Sequence, residues 1–187
     1  GAIGAKLLFP DGRIQHAGVA ICSDRFPRHI YAGFPAEHPA VNRMRYYPAV
    51  TGACLFVARR LFLDHGGFDP SFHNGYEDVD LCLRLGEAGY AVLYCPDSVV
   101  YHFESMTRVG QDYTENVRRW RERWYDRVRP DEFDYYLEDG LVRVDHAELF
   151  PCRIDVDPLL AATTPPDSGE LDDLLLRRAR ENYQLLR

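Results

Sequence analysis

Glu77 and Asp78 are adjacent carboxylates at the point where an apolar helical pattern begins, and a carboxylate set at the mouth of a cleft can act as general base toward a hydroxyl. Upstream, Gly66-Gly67-Phe68-Asp69 and Phe72-His73-Asn74-Gly75 are rich in turn residues, so the acids are expected to open a helix directly from a Gly-rich loop. A purely structural reading competes with this one, because acids in a first helical turn complement the positive end of the helix dipole whatever their function. Helical spacing places Glu77, Asp80, Arg84 and Glu87 on one stripe, expected to be solvated, with Asp80 and Arg84 as an i,i+4 pair. Asp78 lies about 100° around from Glu77. It falls beside Val79, Leu81, Cys82, Leu83 and Leu85 and is the acid expected to face a pocket.

The elements that must position these acids are legible in outline. Ala5 to Phe9 and Arg13 to Ile21 read as strands joined through Pro10-Asp11-Gly12, a turn in which Pro sets φ and Gly tolerates φ > 0. Ser23 to Tyr47 lacks periodicity and reads as a long binding loop, with Arg25, Arg28, His29, Arg43 and Arg45 as candidates for anionic groups or as a solvated face. Ala49 to Ala58 is an apolar run interrupted by Thr51-Gly52, which suits a buried strand whose start approaches a ligand closely. A short helix follows from Arg59 to His65. After the acidic helix, Gly89 is expected as its C-cap, and Tyr90 to Tyr94 and Val99 to His102 read as strand segments broken by Cys95-Pro96-Asp97. His102 closes that segment. The remaining histidines, His16, His29, His38, His65, His73 and His146, form no i,i+4 ligand pair.

Tyr113 to Val128 is a helical pattern with Trp120, Trp124 and Val128 on one stripe, a core face by default and, through the neighbouring arginines, a membrane-surface helix as the sharper alternative. Residues 130 to 166 carry five prolines and read as an irregular arm and linker, in which Asp155 and Asp157 are loop acids. From Asp167 a last helix is expected, because Asp167 and Glu170 have capping-box spacing and Leu171, Leu174, Leu175, Ala179, Tyr183 and Leu186 form an apolar stripe suited to docking.

A chain of 187 residues that is 46% hydrophobic can bury a core, and a net charge of −7 argues against general nucleic-acid binding. No apolar run reaches the roughly 20 residues that span a bilayer. Cys22, Cys54, Cys82, Cys95 and Cys152 make no C-x-x-C pair, which indicates neither a zinc knuckle nor a disulfide framework and fits a reducing compartment. Cys54, Cys82 and Cys95 sit in apolar segments and are expected to be buried. The expected location is cytoplasmic, with the inner face of the membrane as the second address.

Five segments, taken in order, resemble the second half of a family 2, GT-A type glycosyltransferase domain. They are Gly4 to Gly18, Thr51-Gly52-Ala53-Cys54-Leu55, Gly66-Gly67-Phe68-Asp69, Glu77-Asp78-Val79-Asp80-Leu81-Cys82-Leu83-Arg84 and Val100-Tyr101-His102. The resemblance implies an α/β fold: a partial GT-A-like mixed sheet with flanking helices over residues 1–128, lacking the N-terminal nucleotide-binding half, and an extension with linker and terminal helix over 129–187. It implies inverting transfer from a nucleoside-diphosphate sugar to a glycan or lipid-linked acceptor, with Asp78 as base and Glu77 beside it. By the same resemblance Thr51, Gly52 and Tyr76 border the substrates. His102 helps hold a divalent cation, Mn²⁺ or Mg²⁺, together with a strand-borne acidic motif that should precede Gly1, so the chain is expected to be part of a longer enzyme. Two other readings stay open: a noncatalytic assembly module with a membrane or protein partner at the C-terminal helices, and a metal-dependent phosphohydrolase using Glu77, Asp78, Asp80 and His102.

Overall fold

A computed structural model describes residues 1–103, 113–145 and 153–163 of the chain. The helix expected from Asp167, together with His146 and Cys152, lies outside the described residues. Contacts divide the chain into two units, Gly1–Pro130 and Asp131–Arg187.

In the first unit β1 (Ala2–Leu8) is almost wholly buried and is the spine of a mixed sheet. The turn after it forms as expected: Gly12 takes φ +84 and its N–H donates to the Phe9 carbonyl at 2.9 Å. The returning segment is not one strand but two. β2 (Ile14–His16) pairs with β1, whereas β3 (Val19–Ile21) pairs instead with β4 (Pro27–His29), a strand inside the expected loop. Gly18 makes the break, with φ +120 and the Tyr47 ring 2.4 Å from where a Cβ would stand, so a side chain there meets both strain and a clash. The rest of that loop contributes a single 3-10 turn at Pro39–Val41 and the short β5 (Arg45–Tyr46).

The Ala49 to Ala58 run also departs from expectation. Ala49, Val50 and Thr51 are buried, but Gly52–Cys54 is a 3-10 turn and β6 (Leu55–Val57) is an edge strand of β1 that leaves Phe56 71% exposed. Thr51 causes the turn, since its Oγ1 accepts from the Ala53 N–H at 3.3 Å and offers the backbone an alternative to extension. Next come α1 (Arg59–Asp64) and α2 (Glu77–Glu87), the latter followed by Gly89 at φ +84 in the left-handed position that ends helices. The two strand segments predicted beyond it are one strand, β7 (Val92–Tyr101), parallel to β1. Its register jumps from Ala5↔Cys95 to Lys6↔Val99, and Pro96 falls within the bulge, where a residue without an N–H breaks no ladder bond. The order β2-β1-β7-β5, with β6 also on β1, makes a five-stranded sheet with one parallel pair.

α3 (Thr114–Arg123) then packs Trp120 and, just past its end, Trp124 into the core with less than 3% of either exposed. These rings belong to the interior, which removes the membrane-surface alternative for this stripe. Burial of α2 is stronger than its sequence implied. Leu81 and Leu85 are fully buried, and so is Asp80, contrary to the expectation of a solvated stripe. α3 covers it: Asp80 Oδ1 accepts from Arg123 Nη1 at 2.8 Å and Trp124 Nε1 at 2.9 Å, and Oδ2 accepts from Arg84 Nε at 2.8 Å. Arg84 reaches on to the carbonyls of His65 and Gly67. One carboxylate thus ties α2, α3 and the Gly-rich loop together. Cys22 and Cys82 are buried and Cys54 and Cys95 only half-buried, and burial pushes the Cys82 thiol up to about 12.

Over its described residues the expected irregular arm instead forms regular elements. α4 (Glu132–Glu138) buries Phe133 and Tyr136, and β8 (Val142–Asp145) pairs with β9 (Arg153–Val156). Asp155 is therefore a strand residue, half-exposed and paired with Arg153, while Asp157 caps α5 (Pro158–Thr163) by accepting from the Leu159 N–H.

Two stability predictions follow from the α2–α3 junction. Asp80→Ala leaves two arginines and an indole N–H without their shared acceptor, and urea unfolding should register a loss of about 3–5 kcal/mol; a loss within ~0.5 kcal/mol would refute the tie. The Asp69 carboxyl is held down to about 2, first by Ser71 and then by Arg123. Its folded value lies below its ordinary 3.8, so its stabilisation is complete above 3.8 and fades as pH falls toward about 2. Acid titration of Asp69→Asn should show a flatter loss of stability than wild type across that window.

Candidate active site

The loop that delivers α2 is strained. Asn74 and Tyr76 take φ +49 and +72, and although Asn tolerates the left-handed region, an aromatic residue there is an outlier costing on the order of 1–3 kcal/mol. Surrounding contacts hold it. Asn116 of α3 accepts from the His73 N–H at 3.0 Å and donates to the carbonyls of His73 and Gly75 at 2.8 and 3.1 Å. Tyr76 stacks on Trp120 with centroids 5.5 Å apart, and Glu77 Oε2 accepts from the Gly75 N–H at 2.6 Å.

Because Asp80 turns into the core and neighbouring helical residues are about 100° apart, Asp78 is rotated about 200° away from it and out of the interior. It meets the Thr51–Gly52 turn. Asp78 Oδ2 accepts from the Gly52 N–H at 2.6 Å, and Oδ1 from the Val79 N–H at 2.8 Å. A Cβ at position 52 would stand 3.1 Å from Asp78 Cβ, so the approach uses the absence of a side chain. Behind the turn, His16 Nε2 accepts from the Thr51 N–H at 3.3 Å. Burial holds that imidazole well below its usual range, and the neighbouring His29 acts in the same direction, so His16 is neutral with its proton on Nδ1. That Nδ1 has no hydrogen-bond partner among the described residues.

Thr51, Gly52, Tyr76, Glu77, Asp78 and His102 all line one cavity of about 660 Å³. His102 arrives at the end of β7, its N–H donating to the Leu8 carbonyl at 3.0 Å and its ring held against Gln15. Gln15, His29, Asn74, Phe103 and Tyr113 extend the wall. Of the basic loop residues only His29 lines this cavity. Arg25 pairs with Asp126, Arg28 with Asp24, and buried Arg45 bonds the Tyr31 hydroxyl. Asp80, sealed in the core, takes no part, which removes the arrangement a phosphohydrolase using it would need.

A divalent cation does not find a complete site here. Among the described residues no three His, Cys, Asp or Glu side chains cluster at ligand spacing, and the imidazole of His102 is the one donor that the sequence reading assigned to it. Gln15, His16 and Asn116 escaped the sequence reading. Each left a signal: Gln15-His16 is a polar pair inside an apolar strand, and Asn116 stands four residues before Trp120 on a stripe that is otherwise apolar.

The model of glycosyltransferase-like family 2 matches residues 28–127, and the chain belongs to that family. The match continues beyond the last of the resembling motifs, Val100-Tyr101-His102, and takes in α3. An uncharacterized protein, y4gI, of Sinorhizobium fredii is 40% identical over 126 residues, covering 65% of this chain and 14% of that protein. The O-antigen biosynthesis protein RfbC of Myxococcus xanthus is 38% identical over 114 residues, 58% of this chain and 9% of RfbC. An N-acetylglucosaminyl-diphospho-decaprenol L-rhamnosyltransferase of Mycobacterium tuberculosis is 34% identical over 123 residues, 60% of this chain and 40% of the enzyme. The chain thus spans less than half the length of each of these relatives.

Asn116→Ala strips three part-buried bonds from the loop ahead of α2, and a bond of this kind contributes about 0.5–1.5 kcal/mol. Faster amide exchange at His73 and the residues around Tyr76 is the expected outcome; protection equal to wild type would show that Asn116 does not hold the loop.

Proposed function

We propose that this chain supplies the acceptor side of a GT-A-like glycosyltransferase that, in the full-length protein, moves a sugar from a nucleoside-diphosphate donor to a hydroxyl of a glycan or lipid-linked acceptor with inversion. The observation that carries this reading is the meeting of Asp78 and His102, from the start of α2 and the end of β7, on the wall of one cavity. The name of the mycobacterial relative, which specifies a diphosphate-linked sugar acceptor, supports the acceptor class.

Asp78 accepts the proton of the acceptor hydroxyl as its oxygen attacks the anomeric carbon from the face opposite the departing diphosphate. Its two N–H contacts, from Gly52 and Val79, fix the direction of the carboxylate without consuming all its lone pairs. Glu77 is tied to Gly75 and acts on the shape of the loop that frames the acceptor. Thr51 and Gly52 hold the cavity wall against Asp78, and Tyr76 and Tyr113 offer aromatic surface to a sugar ring. His102 would be the residue of this cavity that helps hold a divalent cation, Mn²⁺ or Mg²⁺, together with the nucleotide and the acidic motif that the family resemblance implies. Bound there, the cation would offset the charge that develops on the leaving diphosphate. The proposed reaction belongs to the cytoplasmic side of polysaccharide assembly. Among the described residues no helix is long and apolar enough to cross a membrane.

Asp78→Asn in the full-length protein should lower turnover by about 10²–10⁴-fold while nucleotide affinity stays within a few-fold of wild type. Turnover within tenfold of wild type would defeat the assignment of the base.

A further inference from the structure

Gln15 is 3% exposed and sits on β2, yet it governs two rings on the cavity wall. Its side-chain Nε2 donates to the His102 carbonyl at 3.2 Å, which leaves Oε1 to face His102 Nδ1 at 2.7 Å. A carbonyl oxygen only accepts, so this orientation of the amide is the one that satisfies both contacts, and Nδ1 of His102 must carry a proton. The main-chain carbonyl of the same residue lies 3.0 Å from His29 Nδ1, and the same reasoning puts a proton there.

We propose that Gln15 is a positioning residue which, through its amide and its main-chain carbonyl, fixes the protons of two cavity imidazoles on Nδ1, so that the neutral rings of His102 and His29 both keep Nε2 as the lone-pair nitrogen. The inference rests on the reading of His102 as a cation ligand given above and adds a second imidazole, His29, to the same wall. A lone-pair nitrogen can ligate a divalent cation or accept from a hydroxyl, whereas an N–H can do neither. Gln15 thereby decides what the two rings can bind. Its contacts also give the rings different dependence on its side chain: His102 relies on the amide, His29 on the backbone.

Long-range ¹H–¹⁵N correlation spectra of the histidine rings, recorded on the chain without substrate or cation at a pH where the rings are neutral, test this directly. Both His102 and His29 should show the Nδ1–H pattern in wild type. In Gln15→Leu, His102 should redistribute toward the Nε2–H form that free histidine prefers while His29 keeps its proton on Nδ1. Gln15→Glu retains an acceptor and should keep His102 on Nδ1–H. A wild-type ring protonated on Nε2 overturns the proposal even if the variants do not fold. So does a Gln15→Leu spectrum in which His102 is unchanged, or in which both rings shift together as a packing defect would make them. The tautomers are read without turnover, so a failure here is distinguishable from a failure of glycosyl transfer.

Discussion

The buried carboxylate of Asp80 is the constraint from which the arrangement of the cavity follows. An unpaired charge at that depth would be strongly unfavourable, and the structure satisfies it with two guanidinium contacts and an indole N–H drawn from α2 and the end of α3. Those partners set the rotation of α2 about its axis. With Asp80 inward, the helical period turns Asp78 outward against the Thr51–Gly52 turn. Two acids two residues apart therefore have opposite fates, one structural and one available to a substrate.

The loop before α2 shows the same division between support and function. A tyrosine in the left-handed region is held by Trp120 and Asn116, residues of a helix that the family match includes. Strain of this kind persists only where the surroundings over-determine it. Opposite, a neutral buried histidine, His16, bonds the main chain of Thr51, and Gln15 holds His102. Thr51 and His102 on the cavity wall are thus each backed by a buried polar side chain.

Much of the framework was legible in the sequence because it depends on local chemistry. The Pro10-Asp11-Gly12 turn, α1, the opening of α2 at Glu77 and its end near Gly89 follow from backbone preferences of the residues themselves, as does the Asp80–Arg84 pair. The six candidate residues gather on one wall, an arrangement reached from motif order rather than from periodicity. What could not be read was set by contacts distant in sequence. Periodicity gave Asp80 a polar stripe, and only α3 lying over it makes that stripe interior. The run from Ala49 looked continuous because a single Thr side chain competing with the strand ladder leaves no mark on hydrophobicity. Residues after Pro130 looked irregular because prolines dominated, although Phe133 and Tyr136 were enough to seat a short helix.

The most direct test is a crystal structure of the full-length protein with a nucleoside diphosphate and an acceptor sugar bound together. An acceptor hydroxyl within about 2.6–3.2 Å of an Asp78 carboxylate oxygen, with the diphosphate on the far side of the sugar-binding space, is the expected result. An acceptor hydroxyl held by another side chain, with Asp78 still bonded only to Gly52 and Val79 and out of its reach, would contradict it.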